Sequence, residues 1–318
     1  MNRFVVGAAL ILAAGVVHAQ SYPTRSIRFI VPVPPGGGSD VTARMLAPRL
    51  SEVLGQQVVV DNRAGGNAMI GAELAAKSPA DGHTWLLGTS QHTVTPALVK
   101  SVPVHLLRDF IPVTVLVRAP QLLMVHPAVP VRNVKELIAL AKSRKGALNY
   151  GSGGIGSASH FSAELLKSMA KIDMTHIPYK GVGLAFSDLL GGQIDLMFPA
   201  IPSGVPYHRA GRVRALAVTG PNRHVSIPDI PTVAESGVPG YQVASWYGIL
   251  LPAKTPPEIV NRVHSAFMEV LALPEIKAAV AREGGETAGM PAEAFAKFIE
   301  QELKRNADIV KAAGLTAE

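Results

Sequence analysis

The sequence of 318 residues contains no cysteine, few aromatic residues and, after its first twenty residues, no long apolar run. The absence of cysteine excludes disulfide bonds, a thiolate nucleophile and cysteine metal ligands. Aromatic residues make up 5% of the chain and hydrophobic residues 48%, so the core must be mainly aliphatic. No later segment reaches the roughly 20 apolar residues that span a bilayer. This length and composition predict a large buried core, divided between two domains.

The sequence also lacks the patterns that accompany common catalytic and metal sites. It has no G-x-S-x-G nucleophile elbow, no G-x-x-x-x-G-K-[ST] phosphate loop and no H-E-x-x-H metal motif. Its ten histidines are spaced singly, so we expect no metal site, no cofactor and no catalytic residue. The basic residues are scattered, without the blocks or interleaved aromatic residues of a nucleic-acid surface. We therefore expect a monomer that is neither an enzyme nor a nucleic-acid-binding protein.

The first twenty residues have the composition of a secretory signal. A short basic start ending at Arg3 is followed by apolar residues 4–17 and by the small residue Ala19 at a cleavage position. This pattern predicts a signal peptide over residues 1–19, cleaved after Ala19, and hence an exported, periplasmic protein. The formal charge falls from +7 to +6 when Arg3 is removed, and this excess favours anionic solutes through electrostatic steering.

An apolar strand at residues 27–33 runs into a proline–glycine loop that opens a helix. The prolines end the strand because they lack a backbone N–H group, and the glycines after them let a ligand approach the main chain. Ser39 or Asp40 can cap the helix, and the free N–H groups at its start attract a carboxylate or phosphate. The alternative is an ordinary strand-to-helix turn.

A second strand, glycine loop and helix occur at residues 148–160. Gly151, Gly153 and Gly156 match the G-x-G-x-x-G fingerprint of dinucleotide-binding folds, so a nucleotide-dependent oxidoreductase is an alternative function. Asp173 argues against it, because this acid precedes the next strand, whereas the fingerprint requires an acid at the strand's end. We interpret the loop as a second anion-binding loop, whose serine hydroxyl groups cap the helix or contact the ligand. Glycines that only permit close strand–helix packing are a further alternative.

Strand-like and helix-like segments alternate along the whole chain, which predicts an α/β fold with largely parallel sheets. Several longer motifs occur in a fixed order. They are YPTRSI at 22–27, PVPPGGGSD at 32–40, DNRAG at 61–65, DFIPV at 109–113, LNYGSGG at 148–154, IPYKG at 177–181, GRVRALAVT at 211–219, IPTVAE at 230–235, WYG at 246–248 and PAKTP at 252–256. With these motifs the chain resembles the Bug family of periplasmic solute receptors, the binding components of tripartite tricarboxylate transporters.

The resemblance implies a two-lobed periplasmic binding protein fold of type II, each lobe a sheet flanked by helices, with a small organic acid enclosed between the lobes. It implies a discontinuous first lobe of residues 20–123 and 248–318 and a second lobe of residues 124–247. The membrane permease of the transporter is the implied partner. A sensing role, in which the loaded receptor docks to a signalling protein, is an alternative, because lobe closure serves either purpose.

The resemblance also implies the ligand-binding residues. At one end of the ligand they are Pro34, Pro35, Gly36, Gly37, Ser39 and Asp40, and at the other Ser152, Gly153, Gly154, Ser157 and His160. Further candidates are Thr89 and Ser90 at a strand end, Tyr179 near the cleft and Trp246 near the hinge. An acidic residue expected after residue 198 is replaced by Pro199 and Ala200, which favours an apolar or aromatic carboxylate over an amino acid.

Overall fold

The computed structural model describes residues 22–36, 38–312 and 314. The predicted signal peptide and Gly37 of the first loop lie outside these residues. Among the residues described, no helix is both long and apolar enough to cross a membrane.

Strands and helices alternate along the described chain, as the sequence predicts. The strands are β1 (Ile27–Val31), β2 (Val58–Asn62), β3 (Thr84–Thr89), β4 (Phe110–Pro120), β5 (Leu122–Val125), β6 (Asn149–Ser152), β7 (Thr175–Pro178), β8 (Leu196–Met197), β9 (Arg214–Val218), β10 (Ala244–Pro252) and β11 (Glu286–Thr287). The helices are α1 (Gly38–Leu54), α2 (Met69–Ala76), α3 (Gln91–Leu98), α4 (Leu106–Asp109), α5 (Val134–Ser143), α6 (Ala158–Ala170), α7 (Val182–Leu190), α8 (Ile201–Arg209), α9 (Pro257–Ala272), α10 (Pro274–Arg282) and α11 (Ala292–Ala312).

Local sequence explains where several helices begin. The Asn133 side chain accepts a hydrogen bond from the Glu136 N–H and so caps α5, and proline stands at the first position of α9. Helix α1 continues through Pro48, whose side chain is exposed.

The strands form two sheets, one in each lobe. The first sheet has the order β11-β4-β10-β3-β1-β2, and the second has the order β7-β6-β8-β5-β9. β1 pairs in parallel with β2 and β3, and β6 pairs in parallel with β7 and β8. The carboxyl ends of these parallel strands carry the loops on which the ligand residues are predicted.

The chain crosses between the sheets at Gln121 and again just before Ala244. Leu122 already pairs with β9 in the second sheet, and the segment from Ala244 to Tyr247 pairs with β4 in the first. Both crossings therefore fall a few residues earlier than the predicted boundaries at 123 and 247. The reason is that β4 and β10 are antiparallel neighbours that leave the first sheet together, Pro120 opposite Ala244. We propose lobe boundaries at these two crossings.

The C-terminal helix α11 packs on both lobes. Phe295 and Ile299 belong to a core cluster of the first lobe, whereas Ile309 and Val310 belong to the core of the second. The Asn306 amide donates a hydrogen bond to the Thr93 hydroxyl of α3 at 3.1 Å. The lobes are thus joined by a helix in addition to the two chain crossings.

Candidate functional site

The loops at the carboxyl ends of the two sheets face each other. A Cβ atom placed on Gly156, in the loop between β6 and α6, would lie 2.9 Å from the Leu98 side chain of α3. Helix α3 in turn contacts the loop before α2, where Thr95 donates a hydrogen bond to the Asn67 carbonyl oxygen. The second loop therefore lies against α3 of the first lobe, which in turn contacts the loop before α2.

The first loop is shaped by the buried carboxylate of Asp40. It accepts hydrogen bonds from the Gly36 N–H at 2.8 Å, from the Asn62 amide at 2.8 Å and from the Arg44 guanidinium at 3.0 Å. Asn62 also donates to the Val33 carbonyl oxygen at 3.1 Å. Burial opposes ionisation of Asp40, but these donors hold the pKa of its carboxyl below the usual value. Asp40 therefore folds the loop back on the helix.

The backbone N–H groups of this loop are of two kinds, those bonded within the loop and those without an acceptor in it. The Gly36 N–H is used by Asp40, whereas the first-turn N–H groups of α1, from Gly38 onward, have no intrahelical acceptor. Pro34 and Pro35 are exposed beside them and Ser39 is buried. An anion site at the helix start stays a prediction, and Asp40 is used within the loop, where it accepts the Gly36 N–H.

Tyr247 lies against this helix start and was missed by the sequence analysis. Its hydroxyl oxygen would be 2.8 Å from a Cβ atom on Gly38, so a side chain at this position would displace the tyrosine. The neighbouring Trp246 points to the opposite face of β10 and is fully buried against Phe295 and Phe298. Trp246 is therefore a core residue and not the cleft residue predicted, because adjacent strand residues face opposite sides.

Thr89 and Ser90 lie at the end of β3, as predicted, but their N–H groups have partners. The Thr89 N–H donates to His92 Nδ1 at 3.0 Å, and the Ser90 N–H donates to the Trp246 carbonyl oxygen at 3.2 Å. Burial lowers the pKa of His92 to about 4, so this ring is a neutral acceptor. Ser90 is half-buried and borders a small cavity between the lobes with Phe161.

The second loop also bonds its own backbone N–H groups. The Gly153 N–H donates to the Ser159 hydroxyl at 3.0 Å, and the Gly154 N–H donates to the Ser152 hydroxyl at 3.1 Å. Ser152 is fully buried and lies 2.6 Å from His176 Nε2. These serines therefore hold the loop together instead of projecting toward a ligand.

His160 supports the second loop from below. Its Nδ1 atom accepts a hydrogen bond from the Gly156 N–H at 3.1 Å, and its ring stacks on His176 with centroids 4.0 Å apart. Its own N–H donates to Ser157, which caps α6. Burial, with the charges of His176 and Lys167, lowers the pKa of His160 to about 3. His160 is buried and neutral, so it positions the loop and does not reach the cleft.

Tyr179, which was predicted near the cleft, makes a hydrogen bond within the second lobe. Its hydroxyl donates to the Asp188 carboxylate at 2.6 Å, and burial with this neighbour raises the pKa of Tyr179 to about 12. A Cβ atom on Gly151 would meet the Tyr179 ring at 3.4 Å and Ile194 at 2.4 Å. Gly151 of the fingerprint is therefore required for packing, and Tyr179 covers it.

The family model of tripartite tricarboxylate transporter family receptors matches residues 42–315. This chain belongs to that family. BugT of Bordetella pertussis is 36% identical over 320 residues, which cover 99% of this chain and 98% of BugT. The family predicted from the motifs is thereby confirmed, and the oxidoreductase alternative finds no support.

Solved structures of relatives have the same architecture. A protein of R. palustris solved with adipate is 37% identical, with a TM-score of 0.76 over 93% of this chain and 100% of that one. MatC from Rhodopseudomonas palustris, solved with malate, is 30% identical, with a TM-score of 0.72 over 91% of this chain and 100% of MatC. The predicted two-lobed α/β fold is thus confirmed.

Proposed function

We propose that this receptor binds one small organic carboxylate between its lobes and delivers it to the membrane permease of a tripartite tricarboxylate-type transporter. Adipate and malate, the acids in two solved relatives, support a carboxylate as the ligand class. The arrangement at the start of α1 is the observation that carries the proposal. The first-turn N–H groups there have no intrahelical acceptor, and the nearby Asp40 carboxylate already accepts hydrogen bonds from Arg44 and Asn62.

We further propose that the receptor catalyses no reaction and acts as a monomer. It is exported by a signal peptide that is cleaved after Ala19. The family description as a receptor supports the absence of turnover. No cluster of three or more potential metal ligands occurs among the described residues. N-terminal sequencing and light scattering of the secreted protein test the export and the monomeric state directly.

A thermal-shift screen tests the proposed function. Organic acids should stabilise the purified protein by mass action, by about 2.7 kcal/mol at a hundredfold excess over the dissociation constant. NAD and NADP are included as competitors for the G-x-G-x-x-G loop. Stabilisation by a nucleotide, with no shift for any acid in a broad panel, would contradict the proposal.

A further inference from the structure

Two large apolar side chains are exposed where the second lobe faces the first. Ile155, in the loop after β6, is 61% exposed, and Val182, at the start of α7, is 37% exposed. They stand on adjacent loops, because a Cβ atom on Gly153 would lie 2.9 Å from Val182 Cγ2. A Cβ atom on Gly156, three residues further along, would lie 2.9 Å from the Leu98 side chain of the first lobe. This edge of the second lobe therefore presents hydrocarbon to the cleft.

Few polar groups remain along the same edge to bind a polar ligand chain. The N–H groups of Gly153, Gly154 and Gly156 are bonded within the loop, and the Tyr179 hydroxyl is bonded to Asp188. Residues 198–200, after β8, are Phe-Pro-Ala, which have no polar side chain.

The exposed Lys180 side chain and the first turn of α7 supply the remaining donors that we identify at this edge. In the part of the chain that the structure describes, no side chain caps this helix at Gly181. Its first N–H groups therefore lack intrahelical acceptors. Hydrogen bonding to a ligand is thereby concentrated at one point, next to Val182. Hydroxyl or amino groups spread along a ligand chain would lose water without gaining partners.

We propose that Ile155 and Val182 determine specificity by packing against a hydrocarbon portion of the bound acid. This inference rests on the proposed carboxylate-binding function. It assigns the ligand to carboxylates with an unsubstituted chain or an aromatic ring, and it disfavours hydroxy acids and amino acids. Each methylene group buried against these side chains contributes about fourfold in affinity. A buried hydroxyl group without a partner costs about tenfold.

Calorimetric titration of matched acids tests the proposal. One set contains adipate, hexanoate, benzoate and terephthalate, and the other contains mucate, gluconate, tartrate and glutamate. Adipate and mucate have the same chain length and charge and differ only in hydroxyl groups. We expect the tightest ligand in the first set and adipate at least about tenfold tighter than mucate. A tightest ligand in the second set would overturn the inference and leave the proposed function intact. No binding by either set would instead contradict the proposed function.

Variants test whether the two side chains are responsible. Ile155→Thr and Val182→Thr should each weaken the binding of the tightest unsubstituted acid by about fourfold or more. Each variant should also reduce the ratio of its affinity to that of the matched hydroxylated acid. Val225→Thr is the matched control, because Val225 is 73% exposed and lies elsewhere on the second lobe. All three side chains are exposed, so the variants should fold. Unchanged affinities in both test variants would overturn the assignment of Ile155 and Val182.

Discussion

Asp40 is a buried charge that shapes a ligand loop without repelling an anion from it. Its two carboxylate oxygens take donors from Gly36, Asn62 and Arg44, so its charge is compensated inside the first lobe. Those bonds hold the main chain of residues 33–36 against α1. The N–H groups at the helix start are consequently held in place before a ligand arrives, which lowers the ordering cost of binding.

Asp40→Asn should therefore reduce both stability and binding. The amide replaces one acceptor oxygen with a donor that faces other donors, and bonds to charged groups contribute about 2 kcal/mol to the free energy of unfolding. Urea denaturation and calorimetry with the tightest acid would measure the two losses. Asp61→Asn is the control, since Asp61 lies on β2 and pairs with Arg28 and Arg63 instead of with the loop. Parent-like affinity in Asp40→Asn would contradict the role assigned to Asp40.

His160 gives the second loop a dependence on pH. Its ring is surrounded by His176, Tyr150 and Lys167, and Glu164 binds Tyr150 and Lys167 on the same helix face. Its pKa is lowered from 6.5 in an exposed ring to about 3 in the fold. A group with a depressed folded pKa contributes full stability above its unfolded pKa and loses it as the pH falls.

The free energy of unfolding should therefore decrease as the pH falls from 6.5 toward 4, by about 1.4 kcal/mol per pH unit for each such histidine. His160→Asn removes this titration while keeping an acceptor for the Gly156 N–H. The free energy of unfolding of this variant should therefore fall less steeply with decreasing pH, by the contribution of one histidine. Equal slopes for His160→Asn and the parent would show that His160 does not titrate as described.

At the scale of elements, α6 carries the second loop through its N-terminal cap. Ser157 accepts the His160 N–H, and Ser159 on the first turn accepts the Gly153 N–H. The helix and the loop are thus one hydrogen-bonded unit. Helix α5 in the same lobe also has a side-chain cap, Asn133, but lies away from the cleft loops.

This difference predicts separate effects for two cap variants. Ser157→Ala and Asn133→Ala should each lower the free energy of unfolding by about 1 kcal/mol, the usual contribution of a cap. Only Ser157→Ala should also weaken the binding of the acid, because it removes a hydrogen bond that orders the loop facing the first lobe. Denaturant unfolding and calorimetry of both proteins provide the comparison. Equal affinity in the two variants would mean that the second loop is not part of the site.

The sequence predicts the long helices and strands well, but it does not predict which backbone N–H groups are hydrogen-bonded within the protein. Helix α5 begins and ends where its apolar spacing and its cap indicate, because both are local signals. Short α10 and β11 gain their stability from packing on other elements, which local sequence does not show. Which N–H groups are free depends on side chains folded back from later positions, as Asp40 does on Gly36. Trp246 was misplaced because residue type does not tell which face of β10 it occupies.

At the scale of the whole molecule, two chain crossings and α11 connect the lobes. The crossings at Gln121 and before Ala244 are the places where a small backbone rotation would turn one lobe against the other. Helix α11 packs on both cores through Phe295 and Ile309, so a rotation of the lobes must keep or rearrange these contacts. A ligand that contacts both lobes favours the closed arrangement by its differential affinity.

Small-angle scattering should detect this closure. The radius of gyration should decrease when the protein is saturated with its tightest acid, with each lobe moving nearly as a rigid body. An acid that does not bind, added at the same concentration, controls for solvent contrast. An unchanged profile at proven saturation would contradict ligand-driven closure.

A crystal structure of the protein with its tightest acid tests the central claim most directly. The account predicts one acid per chain, with a carboxylate hydrogen-bonded to the N–H groups at the start of α1, directly or through one water molecule. The rest of the acid should lie toward Ile155 and Val182 of the second lobe. A carboxylate bound outside the cleft, for example in the surface groove between α1 and β2, would contradict it.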